Sequence, residues 1–314
     1  MPQARRVSCV PVHPPVRLVT MGDTRRRFLK GAATRLGFTV DRLDEHTLVL
    51  RRGRGARRLL QMGDGRIGVH LLVDDERLRR LPGMAQKRVG EFLAAEQVGW
   101  MLRATEVDLV LDVGANVGQY ASALRRAGYA GRIVSFEPVA APYAELSRAA
   151  ATDPLWEVRP FALGAEDGTA EINTTPGTMS SMLTASEFGR GWSEKLEETH
   201  TETIEIRRLD SVFAEITGGR PSRAYLKLDT QGFDLEVFRG AGDALGSVVA
   251  MQSEVACLPI YDGMPRLPEQ LTAYELEGFE TVGMYPVSRD PKTLRVIEFD
   301  LLMVRADQVR RPRG

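Results

Sequence analysis

Lys227, Asp229 and Glu254 are the residues whose types and spacing bear most directly on chemistry. In Tyr225-Leu226-Lys227-Leu228-Asp229 residues two apart share one face of a strand, so the ammonium and the carboxylate point the same way. A lysine inside a buried strand is costly unless it is paired. Pairing with Asp229 leaves two readings open: a structural ion pair, or a carboxylate held ready to orient or deprotonate a hydroxyl, with Lys227 setting the local charge. Glu254 ends the next apolar run, 248–254, and is the second carboxylate within reach of the same hydroxyl. Together the two carboxylates could hold a divalent cation through oxygen ligands. No third ligand is evident, so no metal is expected. Asp234 reads most simply as the N-cap of a short helix over 235–238.

A second constellation lies at residues 107–120, VDLVLDVGANVGQY. A short apolar run, broken by Asp108 and Asp112, leads into Gly114-Ala115-Asn116-Val117-Gly118. A helical pattern begins at Gln119. Strand, glycine-rich turn and helix, in that order, build a nucleotide-type site at the carboxyl end of the first strand of an α/β sheet. Glycine lets the backbone turn tightly and approach a ligand, and the helix N-terminus offers N–H groups to a carboxylate or phosphate. The dinucleotide fingerprint needs glycine where Asn116 stands, because a pyrophosphate must come close there. The pattern here suits a ligand without a pyrophosphate, and S-adenosyl-L-methionine is one. Its methionine carboxylate and amine would meet the turn N–H groups and a carboxylate such as Asp112, with Tyr120 in the same cradle.

Glu137 ends the next strand, in Val134-Ser135-Phe136-Glu137-Pro138, where a carboxylate grips ribose hydroxyls or caps the following helix. Phe136 and Pro138 would flank an adenine or simply pack. Ala162 and Leu163 sit where the third strand ends and an adenine edge is met. The stretch 174–182 is long and aperiodic, as lids often are. Ser180 and Ser181 there are candidates for contact with donor or acceptor, and Met179, Met182 and Trp192 for an apolar wall. His200, the one histidine of this region, would suit a base near neutral pH, against a bland reading as a solvated loop residue.

Strands and helices alternate to carry these residues. Strands are expected at 107–113, 132–136, 156–162, 224–228 and 248–254, and helices at 119–127, 141–151, 234–238 and 267–276. A hairpin-like segment is expected at 168–172, a polar interruption at 173–200 and a further strand at 204–208. The chain closes on strands 281–285 and 299–304 with no helix between them, hence an antiparallel hairpin. This is an α/β fold. The mostly parallel seven-stranded sheet, covered on both faces, with a reversed strand at its end, is the Rossmann-like shape of a class I methyltransferase. A nicotinamide dehydrogenase would continue with parallel units.

Ahead of this domain the chain divides into a Pro-rich, unstructured tail over 1–20 and a small α+β appendage over 21–90, leaving 91–314 as the main domain. Arg25-Arg26-Arg27-Phe28-Leu29-Lys30 looks like a twin-arginine export signal, but the apolar segment that should follow is missing. A helix over 25–36, ended by Gly37, is expected instead. Short strands are expected at 48–50, 57–62 and 67–73, with a turn at Gly63-Asp64-Gly65. The formal net charge is zero, yet 20 Lys and Arg stand against 8 Asp and Glu up to Gly90, and 22 against 34 thereafter. This basic part reads as a face packing on the acidic domain or on a partner subunit, which would give a homodimer. Nucleic acid is not expected, since the charge sits in no recognition motif. Two cysteines make no disulfide framework and point to a reducing cytoplasm. No run approaches the apolar length of a membrane helix.

VLDVGANVGQY, VSFEPV, FALG, YLKLDTQGFDLEVFRGA and Pro259-Ile260-Tyr261-Asp262-Gly263 together resemble the FkbM-type S-adenosylmethionine-dependent methyltransferases. The resemblance covers about 90–305. It implies a methyl donor in the glycine cradle and a small-molecule hydroxyl acceptor on a sugar, glycolipid or polyketide. Two features depart from the family pattern: Asp229-Thr230-Gln231 replaces a frequent Asp-Val-Glu, and the first 90 residues lie outside the motif set. Two other functions remain to be weighed. Asn116 and the terminal hairpin oppose a nucleotide-dependent oxidoreductase. The Lys227, Asp229 and Glu254 set opposes a non-catalytic module that only binds the cofactor or an anionic partner.

Overall fold

All five residues of β6 (Leu109–Val113) and of β12 (Ala224–Leu228) are buried, as strands must be when helices cover both faces of a sheet. The computed structural model describes the backbone of residues 18–20, 38–42, 47–52, 57–62, 69–74 and 82–308 apart from 176 and 198, with side chains from 87 onward save 306. The helix expected over 25–36, the turn at 63–65 and residues 1–17 lie outside the described residues. Contacts divide the chain into two units, Met1–Ala85 and Gln86–Gly314.

In the first unit β1 (Leu18–Thr20), β2 (Phe38–Arg42) and β3 (Thr47–Arg52) form an antiparallel sheet in the order β1-β3-β2. The segment expected to be an unstructured tail therefore contributes a strand at its end. β4 (Arg57–Met62) and β5 (Val69–Asp74) form a hairpin.

The second unit begins within α1 (Pro82–Ala104). After β6 come α2 (Gln119–Arg126), β7 (Arg132–Phe136), α3 (Ala140–Ala150), β8 (Trp156–Arg159), β9 (Ala162–Leu163), β10 (Gly168–Thr174), α4 (Glu187–Trp192), β11 (His200–Arg207) and α5 (Leu209–Thr217). β12, α6 (Asp234–Gly240), β13 (Val248–Ala256), α7 (Leu267–Leu276), β14 (Phe279–Arg289) and β15 (Val296–Arg305) complete it. The main sheet has seven strands in the order β14-β15-β13-β12-β6-β7-β8. Six strands share one direction, and β15 alone is reversed, antiparallel to both β13 and β14. The expected parallel sheet with its reversed terminal hairpin is thus the observed one.

Side chains of the sheet alternate between two cores. Leu109, Leu111, Leu226 and Met303 pack under α5, α6 and α7. Val110, Ile133, Tyr225 and Leu302 pack under α1, α2 and α3. Near the carboxyl ends the second face turns polar: Ser135, Asp112, Lys227 and Gln252 form one row across β7, β6, β12 and β13. Glu254 and Asp300 pair directly across β13 and β15.

The expected third strand, 156–162, is split. Pro160 cannot donate a ladder hydrogen bond, so β8 stays in the main sheet and β9 joins a second sheet in the order β10-β11-β9. The polar stretch 173–200 is also more structured than its composition suggests. β10 and β11 pair antiparallel from Gly168↔Ile206 to Thr174↔His200, and α4 lies within the excursion between them. Helix α5 had no counterpart among the expected elements. Among the described residues no helix is long and apolar enough to cross a membrane.

Candidate active site

The glycine turn is built by close backbone approach. Gly114 has φ 74°, and a Cβ there would lie 1.9 Å from the Asp229 carbonyl oxygen. Gly118 has φ 82°, and a Cβ there would meet Leu146 and Trp156 at 2.9 Å. Asn116 takes the left-handed conformation too, at φ 50°. The N–H groups of this turn are all held within the protein. Gly114 and Ala115 donate to the Phe136 carbonyl, Asn116 to Glu137 Oε2, Val117 to Asn116 Oδ1 and Gly118 to the Ala115 carbonyl. This corrects the expectation that the turn N–H groups meet the ligand. The N–H groups without intrahelical partners are those of the first turn of α2.

Glu137 holds two backbone N–H groups with its two carboxylate oxygens. Its Oε2 takes the Asn116 N–H at 2.8 Å and its Oε1 the Val139 N–H at 2.9 Å, at the residue before α3. Each oxygen keeps a further lone pair toward the cleft it lines. Burial outweighs these hydrogen bonds and raises its pKa.

Asp112 is enclosed. It accepts from Ser135 Oγ at 2.9 Å and lies 3.5 Å from Lys227 Nζ, while its Oδ1 has no hydrogen-bond partner. Burial raises its pKa despite these contacts. It sits beneath the cleft rather than in its lining, because the strand face it occupies is already covered there by α2 and α3. Lys227 Nζ stands 3.3 Å from Asp229 Oδ2 and 3.4 Å from the Gly114 carbonyl, so one ammonium ties the turn to both carboxylates. Burial opposes its charge, but Asp229 and Asp112 outweigh burial and hold its pKa above the ordinary lysine value. The lysine side chain is 5% exposed and that of Asp229 37%. The pair thus has a buried end and an open end, and the open end is the carboxylate.

Sequence reasoning missed Gln231. Its Nε2 donates to Asp229 Oδ1 at 3.1 Å and to Glu254 Oε2 at 3.0 Å, bridging the two carboxylates. It also missed Asp300 and Glu298, which share a face of β15 with the Glu254 partner position. Two acids two apart in a terminal strand otherwise rich in apolar residues were the available signal. Gln252 donates to Asp300 at 2.9 Å and Ser288 to Glu298 at 3.0 Å. Burial, then the neighbouring carboxylates Glu298, Asp229 and Asp300, push Glu254 well above the carboxylate range. Burial takes Asp300 up to about 6 and Glu298 up to about 7. Acids raised on folding make the folded chain bind more protons than the unfolded one, so stability falls as pH rises through that window. Glu298→Gln is therefore expected to raise the thermal midpoint by a few degrees at pH 8 and to lose that advantage at pH 4. A midpoint below wild type at pH 8 would show the burial cost to be wrongly assigned.

Asp234 is a structural clamp rather than an N-cap, a position Phe233 holds. Its Oδ1 takes the Thr230 N–H and hydroxyl, and its Oδ2 takes the Ser253 hydroxyl and the Glu254 N–H. It thereby locks the turn after β12 to β13. Tyr120 also lies elsewhere than expected. Its hydroxyl points down the second face to Tyr225 and Gln252, at 3.0 and 2.9 Å, and its ring lies 5.3 Å from Lys227 Nζ. Helical spacing aims it there, one residue past Gln119, which lines the cleft. Ser181 is buried and donates to the Gln231 carbonyl at 2.7 Å, so it anchors the loop instead of facing a ligand. Ser180 does line the cleft, with its Oγ accepting the Thr175 N–H at 3.2 Å. His200 begins β11, exposed and away from both clefts, because its register pairs it with Thr174 at the hairpin's far end. Met179 and Trp192 pack with Tyr261 in a small apolar cluster, and Met182 lines the cleft. Asn116 Nδ2 donates to the Gly177 carbonyl at 3.1 Å, which joins the glycine turn to the loop.

Two clefts meet at these residues. The first, of about 680 Å³, is lined by Gly114, Asn116, Glu137, Pro138, Ala162, Leu163 and Ser180, and is closed by Asp229 to Gln231. The second, of about 2010 Å³, runs from Lys227, Asp229, Gln252, Glu254 and Asp300 between α1 and α2. Among the described residues no group of three His, Cys, Asp or Glu is placed to hold a metal ion.

Sheet order, glycine turn and paired clefts together define a class I, Rossmann-like methyltransferase fold. Residues 112–261 match the model of the methyltransferase FkbM domain. A curated relative, Methyltransferase sdnD of Sordaria araneosa, is 27% identical over 158 residues, covering 43% of this chain and 60% of that one. The chain thus spans less than two thirds of that relative's length. Among solved structures, fibrillarin of Aeropyrum pernix with natively bound S-adenosyl-L-methionine has a TM-score of 0.39 at 13% identity. The match covers 85% of this chain and 94% of that chain. A putative S-adenosylmethionine dependent methyltransferase from Listeria monocytogenes has a TM-score of 0.38 at 10% identity, covering 70% and 99%.

Proposed function

We propose that this chain transfers a methyl group from S-adenosyl-L-methionine to a hydroxyl of a small-molecule acceptor of sugar, glycolipid or polyketide type, in secondary metabolism. The observation that carries the reading is the place of Asp229: one carboxylate forms part of both clefts. A donor in the first and an acceptor in the second would meet there.

The first cleft suits the donor chemically. Phe136, Pro138, Ala162 and Leu163 give it an apolar slot for a purine, and Glu137 has lone pairs for ribose hydroxyls. The first turn of α2 offers N–H groups to the methionine carboxylate. When bound, S-adenosyl-L-methionine supplies an already activated methyl, so the protein's share is alignment and a place for the acceptor proton. Asp229, fixed by Lys227 and Gln231, is the group we assign to take that proton. Glu254, whose carboxyl is pushed upward by burial and the neighbouring carboxylates, would hydrogen-bond the acceptor and orient it. Ala94, Val98 and Leu102 of α1 face Ala123 and Leu124 of α2 along the second cleft, which favours an acceptor with an apolar body and a hydroxylated end.

The other assignments follow this reading: Asp112 and Tyr120 support the donor from beneath, Ser180 borders it, and His200 takes no part. The division into a basic appendage over 21–90, joined by the Leu18–Thr20 strand of the expected tail, and a domain over 91–314 is kept as part of this reading. So are a homodimer, the absence of nucleic acid among the partners, and the cytoplasm, the last supported by two cysteines outside any disulfide framework. Calorimetric titration with S-adenosylmethionine, S-adenosylhomocysteine and NAD tests the core of the proposal. Both sulfur nucleotides are expected to bind and NAD to give no heat. Binding of NAD alone would favour an oxidoreductase and end this reading.

A further inference from the structure

The Gln231 carboxamide lies where two carboxylates converge. Its nitrogen is 3.1 Å from Asp229 and 3.0 Å from Glu254, and it donates one hydrogen to each. Its oxygen faces the Tyr261 hydroxyl at 3.1 Å, which also reaches the Met179 carbonyl at 2.9 Å. Ser181 holds the Gln231 carbonyl at 2.7 Å. The backbone is left-handed at Gln231, φ 53°, a conformation costly for a side chain with a Cβ. Four attachments and a strained backbone place this one amide between the acids, and such strain gathers at functional sites.

Two carboxylates sharing one position with an oxygen-rich surround attract a divalent cation. Here a neutral NH₂ group fills that position and binds both acids without adding charge. We propose that Gln231 is a positioning residue that holds Asp229 and Glu254 as a hydrogen-bonded pair and, by occupying the point between them, keeps a divalent cation out of the acceptor site. Glutamate would fit the same contacts, keep an acceptor for the Tyr261 hydroxyl, and turn the amide bridge into a third oxygen ligand. The cost is a further negative charge beside Asp229 and Glu254, which a bound cation would offset. Position 231 therefore decides between two ways of organising one pair of acids.

The inference rests on Asp229 and Glu254 as the acceptor carboxylates, but its test needs no methyl transfer, so the two fail separately. Mn²⁺ is titrated into the full chain and followed by electron paramagnetic resonance. The proteins compared are wild type, Gln231→Glu, and Gln231→Glu combined with Glu254→Gln. The thermal unfolding midpoint is the fold control, since Gln231→Glu is nearly isosteric. Gln231→Glu is expected to bind Mn²⁺ at least about tenfold more tightly than wild type, a change of the size seen when even an outer-shell partner of a metal site is altered, and the double variant to lose that gain. Wild type binding Mn²⁺ as tightly as Gln231→Glu would overturn the proposal by showing that the amide yields to the ion. Failure of all three to bind would overturn it equally, since the bridged position would then be no cation site.

Discussion

Alanine at position 114 is expected to abolish binding of S-adenosylmethionine and to lower the thermal midpoint more than any other single glycine replacement in the turn. The added Cβ would lie 1.9 Å from the Asp229 carbonyl oxygen, and both partners are backbone, so no side chain can swing aside. The left-handed conformation at φ 74° adds about 1–2 kcal/mol of strain. Relief requires the glycine turn and the turn after β12 to separate, which also draws the Gly114 carbonyl away from Lys227. Gly128→Ala separates the two effects. Gly128 is left-handed as well, at φ 93°, but has open space around it. It should lose a few degrees in the thermal midpoint through strain alone and keep wild-type donor affinity. Gly114→Ala with donor affinity equal to that of Gly128→Ala would show that contact between the two turns does not shape the donor site.

Asp229→Asn is expected to reduce methyl transfer by about 10²–10⁴-fold, the usual contribution of a positioned proton acceptor. Donor affinity should stay near wild type, because the isosteric carboxamide preserves the shape of the cleft that Asp229 lines and Glu137 is untouched. The carboxamide keeps the shape of the side chain and removes its charge, so Lys227 retains Asp112 as its partner at 3.5 Å. If Asp229 serves only as a structural ion pair, the variant will instead lose stability and keep its turnover. Thermal unfolding, donor titration and turnover on one preparation distinguish these outcomes. Burial of Lys227 makes the stability arm informative: a cation deprived of one of two carboxylates must lean on the other.

The sheet was largely legible because its strands are short apolar runs separated by helical periods. Parallel order followed from the connections and the reversed end from their absence between β14 and β15. Local chain pattern could not foresee Pro160 handing β9 to a second sheet, since which sheet a two-residue strand joins depends on β11, more than 35 residues later. Lys227 and Asp229 were readable as a pair by strand alternation alone. Glu137 was readable as a carboxylate at a strand end, although its hold on the Asn116 and Val139 N–H groups was not. Gln231 was not readable, because its function arises from the left-handed turn that throws its amide back between strands β12 and β13. Tyr120 and Ser181 were misplaced for a related reason: their positions are set by a helix rotation and by a loop anchor, neither of which leaves a local pattern.

The excursion between β10 and β11 has a consequence for how such a chain can diversify. Its root is a seven-pair antiparallel ladder on a sheet separate from the one that carries the glycine turn. Asn116 to Gly177 and Ser181 to Gln231 pin its tip. Residues beyond those pins can lengthen, shorten or change composition without altering the register of any strand in the main sheet. Selection can therefore act on this segment as on an interchangeable part, while the sheet beneath it is inherited whole.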